Sequence, residues 1–215
     1  MSKFLKQDIS IITDTNYSRY IGLFKNKEQY EGSFYEITNS MGEHGTLNSA
    51  HDLKLDNFTN FHGEKVVVGE DEEIKIKTQK NLSLAKIKDI VSSDSAISFV
   101  LNFKGLNIRF NLKSNNKFIV ELFTLGIITA SIMGVDFEEI SRILGVKYFK
   151  ELDFEIINGD NGTIIVNNSF ENTNYKKITS SINFLNSLQN TNKKILVTNG
   201  IKGLCKFKKE AYKNF

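Results

Sequence analysis

The sequence predicts an α/β fold, and three observations predict it. Short β-favouring runs such as "KVVVG" (65–69) and "IRFNL" (108–112) recur between stretches with helical spacing. A paired β pattern spans Ile87 to Leu112, where "AISFVLNF" and "IRFNL" flank a Lys104-Gly105-Leu106-Asn107 connection that reads as a hairpin. Finally, "TIIVNNSFENTN", Thr163 to Asn174, passes from strand through a polar corner into a helix-like segment. That is the geometry by which α/β proteins place a ligand at the carboxyl end of a sheet.

The elements follow in chain order. "DISIIT", Asp8 to Thr13, is a short buried strand ending in polar residues. Lys27 to Met41 is helical, with Tyr30, Phe34 and Ile37 along one face and Gly42 and Gly45 as its stop. "GTLN", Gly45 to Asn48, restarts an extended piece, Ala50 to Gly63 is loop with a short helix, and Lys65 to Gly69 is a strand. The charged run Glu70 to Lys77 alternates with Ile74 and Ile76 and reads as a solvated edge. Beyond the hairpin, Lys117 to Met133 is a helix closed by Gly134. Asp136 then caps a second helix, "FEEISRIL", running to Gly145. "FEII", a turn at Asn158 to Gly162, and "TIIV" form a second hairpin. Asn174 to Leu188 is helical, and "KKILVT" is a buried strand. The pattern of elements changes near Gly145 to Lys150, which divides the chain into domains 1–148 and 149–215; the second contains fewer strands than a doubly wound domain needs.

Composition narrows the function. At 40% apolar residues over 215 positions the chain can bury a core. A balance of 28 Lys+Arg against 25 Asp+Glu, net +3, argues for neither nucleic acid nor an anionic membrane as partner. The five lysines from Lys202 to Lys213 alternate with Phe207, Ala211 and Tyr212, as on a solvated helix. Cys205 has no second cysteine to pair with, which fits a reducing, cytoplasmic setting. No run reaches the ~18 apolar residues of a membrane span, and Phe118 to Val135 is interrupted by Glu121, Thr124 and Gly126.

Catalytic signatures are scarce. The sequence contains neither G-x-x-x-x-G-K-[ST] nor G-x-G-x-x-G. His44, His51 and His62 lack metal-ligand spacing and read as surface or hydrogen-bonded side chains. "HGTLNSAHD" invites a His/Asp base pair, but no nucleophile motif accompanies it. Glu138 and Glu139 point about 100° apart on a helix and serve as first-turn charges rather than as an acid and base facing one substrate.

The order of these segments resembles the Mur ligases, ATP-dependent amide ligases of peptidoglycan precursor synthesis. "IITASIMGVDFEEISRIL", Ile127 to Leu144, is similar to that family's helix pair, an Ala-rich helix followed by l-G-v-d-x-e-e-I-x-x-x-L. "FEIINGDNGTIIVNNSFENTN" looks like the strand pair leading into D-D-S-Y-N-A-N-P, and "KKILVTNGIKGL" like the later strand ending in G-M-x-E-L-G. Upstream, "ISIITDTNYSRYIGLFKNKEQYEGSFYEI" resembles I-T-N-I-G-x-A-H-L followed by K-x-E-I, and "GTLNSAHD" parallels G-x-x-V-L-N-x-D-D. The likeness runs from about Asp8 to Tyr212 and is nearest to the branch that adds D-alanyl-D-alanine. It implies an incomplete Mur-ligase-like central domain followed by the start of a Rossmann-like C-terminal domain.

The resemblance also implies that the family's chemistry is degenerate here. The metal-binding His falls on Arg19, and the carbamylated lysine that helps hold magnesium falls on Ser33 or Phe34. Thr13 keeps the threonine of I-T-N, but its asparagine becomes Asp14. Both acids of D-D-S-Y become Asn167 and Asn168, ahead of the retained Ser169, and the tyrosine becomes Phe170. Asn keeps the size and hydrogen bonding of Asp without its charge, so Thr13, Asp14, Asn167, Asn168 and Ser169 outline a vestigial nucleotide or substrate corner. Taken singly, those corner residues equally make a polar N-cap turn, with Ser169 or Asn168 capping the next helix. The family's P-loop would precede the I-T-N strand, close to which this sequence starts. The expectation is a non-catalytic binding or assembly module with no cofactor and no bound metal, acting with a protein partner or as a homo-oligomer. The alternative is one subunit of a split ligase, using ATP and magnesium with a P-loop half on another chain. A third reading is an unrelated α/β protein with the same order of elements.

Overall fold

The computed structural model describes residues 7–13, 24–51, 53, 58, 60–72, 74, 80–93, 95–114, 116–147, 155–167, 181–186, 188, 193–195 and 197. Two compact units divide the chain: Met1–Thr15 with Glu31–Asp153, and Asn16–Tyr30 with Phe154–Phe215.

The first unit is built on a six-stranded sheet in sequence order. Its strands are β1 (Gln7–Ile12), β2 (Met41–Ala50), β3 (Glu64–Glu70), β4 (Leu82–Ser92), β5 (Ile97–Phe103) and β6 (Leu106–Leu112). β1 to β4 run parallel, and β4, β5 and β6 pair antiparallel. The helix α1 (Lys27–Asn39) links β1 to β2, while α2 (Val120–Ile132) and α3 (Phe137–Val146) follow β6.

Parallel strands buried on both faces read as continuous apolar runs. In β3, Val66 and Val68 join one apolar cluster and Val67 the other. The cluster of Val66 and Val68 is completed by β5, β6, α2 and α3. The cluster of Val67 contains Ile12, Leu47, Leu53, Phe58 and Phe61, with Phe34 and Tyr35 of α1 against it. β5 instead alternates strictly, burying Ile97, Phe99, Leu101 and Phe103, as expected of an antiparallel strand with one solvated face. The Phe99 and Phe110 rings stack at 5.6 Å beneath α3 and Phe137.

Local chemistry sets the element ends. Lys104 and Gly105, at φ 48° and 83°, make the two-residue connection in which both central residues require positive φ, so the hairpin turn is tighter than the four residues expected. Asn26 accepts from the Gln29 N–H at 2.8 Å while the Gln29 side chain accepts from the Lys25 N–H at 2.7 Å, a reciprocal N-terminal box for α1. The helix expected from Lys117 begins with one 3-10 turn, Lys117–Ile119, before α2. At its end Gly134, φ 91°, donates to the Ser131 carbonyl and Val135 to that of Ala130, the paired bonds of a Schellman closure. Asp136 caps α3 by accepting from Glu138 N–H at 2.7 Å.

One expectation for this unit fails. Gly42 and Gly45 do not stop α1. The helix ends at Asn39, Ser40 donates from its hydroxyl to Ile37, and both glycines lie inside β2. A Cβ on Gly63 would collide with the Gly45 carbonyl, so this glycine serves a close backbone approach. The short helix expected between Ala50 and Gly63 falls largely on residues 52, 54–57 and 59, outside the described residues.

In the second unit, β7 (Glu155–Asn158) and β8 (Ile164–Asn167) form the expected antiparallel hairpin, with Asn161 and Gly162 in the left-handed region. Of the helix expected from Asn174 to Leu188, residues 181–186 are described and helical. Among the described residues of "KKILVT" the expected buried strand does not appear. Lys193, Lys194, Ile195 and Val197 are outside any strand, and Ile195 and Val197 are 64% and 91% exposed. A strand needs a neighbour to satisfy its backbone, and none of the described residues supplies one there.

Candidate functional site

The parallel strands β1, β2 and β3 end at the same edge of the sheet, the edge at which open α/β folds take their ligands. Thr13 follows β1, His51 follows β2, and Asp71 follows β3. Helix α2 runs back across this edge. Asn48 donates through Nδ2 to Thr129 Oγ1 at 2.9 Å, and three residues later His51 meets Glu121 in the first turn of the helix.

His51 is fixed from three directions. Its Nδ1 lies 2.8 Å from Glu121 Oε1, and its backbone N–H donates to the same oxygen at 3.4 Å. Because a carboxylate only accepts, Nδ1 carries the proton in this contact. Below the ring is Gly69 of β3, where a Cβ would stand 2.8 Å from His51 Cβ and 3.1 Å from Cγ. Glycine therefore leaves the space that the imidazole fills. The two side chains are 26% and 27% exposed.

Beside this pair the edge becomes ionic. Asp71 binds Lys86 at 2.7 Å and Lys88 at 3.2 Å, two residues that project from the same side of β4. Hydrogen bonds from Lys86 and then Lys88 hold its carboxyl below the usual carboxylate range. Behind the edge, Asn48 and Ser49 are fully buried, and Asn48 Oδ1 and Ser49 Oγ have no hydrogen-bond partner.

Thr13 is exposed at the end of β1. Ser33 and Phe34 lie half-buried in α1, with Phe34 against the cluster that holds Ile12, so the structure brings Phe34 beneath the strand that Thr13 ends. Asn167 is the half-buried last residue of β8 and pairs in register with Glu155. Asp14, Arg19, Asn168 and Ser169 lie outside the described residues. No group of three or more His, Cys, Asp or Glu side chains able to hold a metal occurs among the described residues. Nor is any helix among them long and apolar enough to cross a membrane.

The pair His51–Glu121 was not visible in the sequence. Its signal there was "HGTLNSAHD", but a neighbouring Asp52 was the natural partner to consider, and the real one is 70 residues away.

No protein-family profile and no curated protein matches the sequence. Solved structures do. MurF from Acinetobacter baumannii superposes with a TM-score of 0.71 at 15% identity, covering 98% of this chain and 44% of that one. MurF ligase from Thermotoga maritima, solved in complex with ADP, gives 0.63 at 16% identity over 99% of this chain and 46% of its own. UDP-N-acetylmuramate-alanine ligase MurC from Thermotoga maritima gives 0.56 at 11% identity, over 84% and 38%. This chain thus spans less than half the length of the solved ligases it resembles, and at these identities the likeness is one of fold. The mixed sheet, its helices and the collinear order expected from the sequence therefore together make a Mur ligase-like α/β fold.

Proposed function

We propose that this chain is a non-catalytic Mur-ligase-like protein, a cytoplasmic binding or assembly module linked to peptidoglycan precursor synthesis. The observation that carries the reading is Phe34. It stands with Ser33 where the resemblance puts the lysine that helps hold magnesium, and its ring is packed against the apolar cluster of Ile12, Leu47 and Val67. Neither a phenyl ring nor a serine supplies that lysine's charge, and phosphoryl transfer depends on such charge being in place. Asn167 at the end of β8, in place of an acid, points the same way.

Assembly with a protein partner or a second copy is supported by apolar surface at strand edges. Ile11 of β1, which pairs only with β2 among the described strands, is 44% exposed. Ile156, Ile157, Ile164 and Ile165 put exposed side chains on both faces of the β7–β8 ribbon.

Calorimetric titration of magnesium-ATP, and separately of UDP-muramoyl peptides, into the purified chain tests the reading. No heat of binding at millimolar nucleotide is the expected result. Magnesium-dependent nucleotide binding would overturn it and favour a subunit of a split amide ligase that uses ATP and magnesium.

A further inference from the structure

We propose that Glu121 plugs an oxyanion subsite of this chain's own, at the carboxyl end of β2, and that His51 supplies the donors of that subsite. Two N–H groups of one residue, the backbone amide at 3.4 Å and Nδ1 at 2.8 Å, converge on a single carboxylate oxygen of Glu121. Convergent N–H donors at the carboxyl end of a parallel strand are what an incoming phosphoryl or carboxylate oxygen requires. Here they are already satisfied by a side chain of the protein.

The donors are held rather than merely available. Gly69 gives the imidazole its floor, and a Cβ there would intrude to 2.8 Å. The Asn48–Thr129 bond, 2.9 Å, pins the same strand to the same helix below the pair. Removing the Glu121 carboxylate would therefore leave His51 in position with its donors facing an empty pocket of carboxylate size. Glu121 acts as an internal competitor for any oxyanion approaching this edge. The proposal rests on the binding-module reading, because a subsite closed by the chain's own carboxylate is not one that a resident nucleotide uses.

The test uses the full chain as wild type, Glu121→Ala and Glu121→Gln. Inorganic phosphate and acetate are titrated separately, with sodium chloride as the ionic-strength control, and the His51 amide resonance is followed by 1H–15N correlation. Glu121→Ala is expected to bind at least one of the two anions roughly tenfold more tightly than wild type, or to bind where wild type does not. Glu121→Gln, which keeps the side-chain volume without its charge, is expected to fall between them. A response to phosphate alone assigns the subsite to phosphoryl groups, and a response to acetate as well extends it to carboxylates. Glu121→Ala combined with His51→Ala should lose the gain. If neither single variant binds either anion better than wild type, the proposal is overturned; should Glu121→Ala fail to fold, Glu121→Gln alone decides. Wild-type binding of magnesium-ATP without movement of the His51 amide would overturn the non-catalytic reading and leave the plugged subsite standing.

Discussion

Gly69 offers the sharpest test of how the edge of the sheet is built. An added Cβ would meet His51 Cβ at 2.8 Å, Cγ at 3.1 Å and Nδ1 at 3.2 Å, all of them atoms of a side chain already tied to Glu121 at 2.8 Å. Gly69→Ala must therefore displace the imidazole or strain β3. Overpacking of this kind costs about 1–3 kcal/mol, and loss of the His51–Glu121 hydrogen bond, which involves a charged acceptor, lies in a similar range of about 1.5–3 kcal/mol. The backbone itself favours the change, since Ala in place of Gly at an unstrained position gains about 0.4–1 kcal/mol through the unfolded state. The net expectation is a loss of about 1–2 kcal/mol in wild type. The partner substitution must be His51→Gly, because His51→Ala keeps the Cβ that makes the closest contact. In that background Gly69→Ala should be neutral or stabilising, with a coupling energy of at least about 1 kcal/mol. Urea unfolding followed by circular dichroism, with unchanged m-values, reads all four proteins. Equal costs of Gly69→Ala in both backgrounds would refute the claim that this glycine exists to seat His51.

Three further outcomes follow from individual groups. Ser49→Ala removes a fully buried hydroxyl with no partner and should stabilise the first unit or leave it unchanged, by up to about 1 kcal/mol; a loss above that in urea unfolding would mean that the hydroxyl has a partner. Asp71 has a lowered folded-state pKa, so its pairing with Lys86 and Lys88 contributes above the unfolded value and is lost as pH falls through the folded one. Carboxyl 13C titration should place Asp71 below an ordinary Asp, and Lys86→Met should raise it more than Lys88→Met; an unmoved midpoint in Lys86→Met would contradict the assigned cause. Asp136→Ala leaves the Glu138 amide without its cap and should cost about 0.5–2 kcal/mol, which hydrogen exchange of α3 would localise.

What was legible in the sequence was what short-range physics decides. Asp136 and Gly134 mark helix ends because capping and positive φ act within a few residues. "KVVVG" betrays a strand buried on both faces, and the alternation around Phe99 and Phe110 betrays one buried on a single face. The Gly42 and Gly45 reading failed because glycine signals both a helix stop and a close strand approach, and only the three-dimensional neighbour, Gly63 against Gly45, decides between them. "KKILVT" failed because apolar β-favouring residues state a need for a sheet without showing that one is present. The site was least legible of all. Its central contact joins residues 70 positions apart, and nothing in the stretch "GTLNSAHD" points to Glu121.

The change of strand direction at β4 explains where charge can be kept in this fold. The sheet carries packed clusters on both faces through β3, whereas in β5 and β6 the positions between core residues are open, with Asn102 bonded to Asn107 at 2.8 Å across them. Partly exposed ion pairs such as Asp71 with Lys86 and Lys88 are tolerated beside that open half, where water reaches and screens them. In the covered half a polar group must find a partner inside the protein, as His51 does in Glu121, or remain unsatisfied, as Asn48 Oδ1 and Ser49 Oγ do. A catalytic edge would keep its donors free for a substrate and its cations free for phosphate. This edge has its best-placed donors engaged with Glu121 and two of its lysines engaged with Asp71, while the half-buried Phe34 packs against the apolar cluster of Ile12. Those commitments are what the proposed binding-module reading rests on, and opening Glu121 is the smallest change that tests whether the donors of His51 can take an incoming anion.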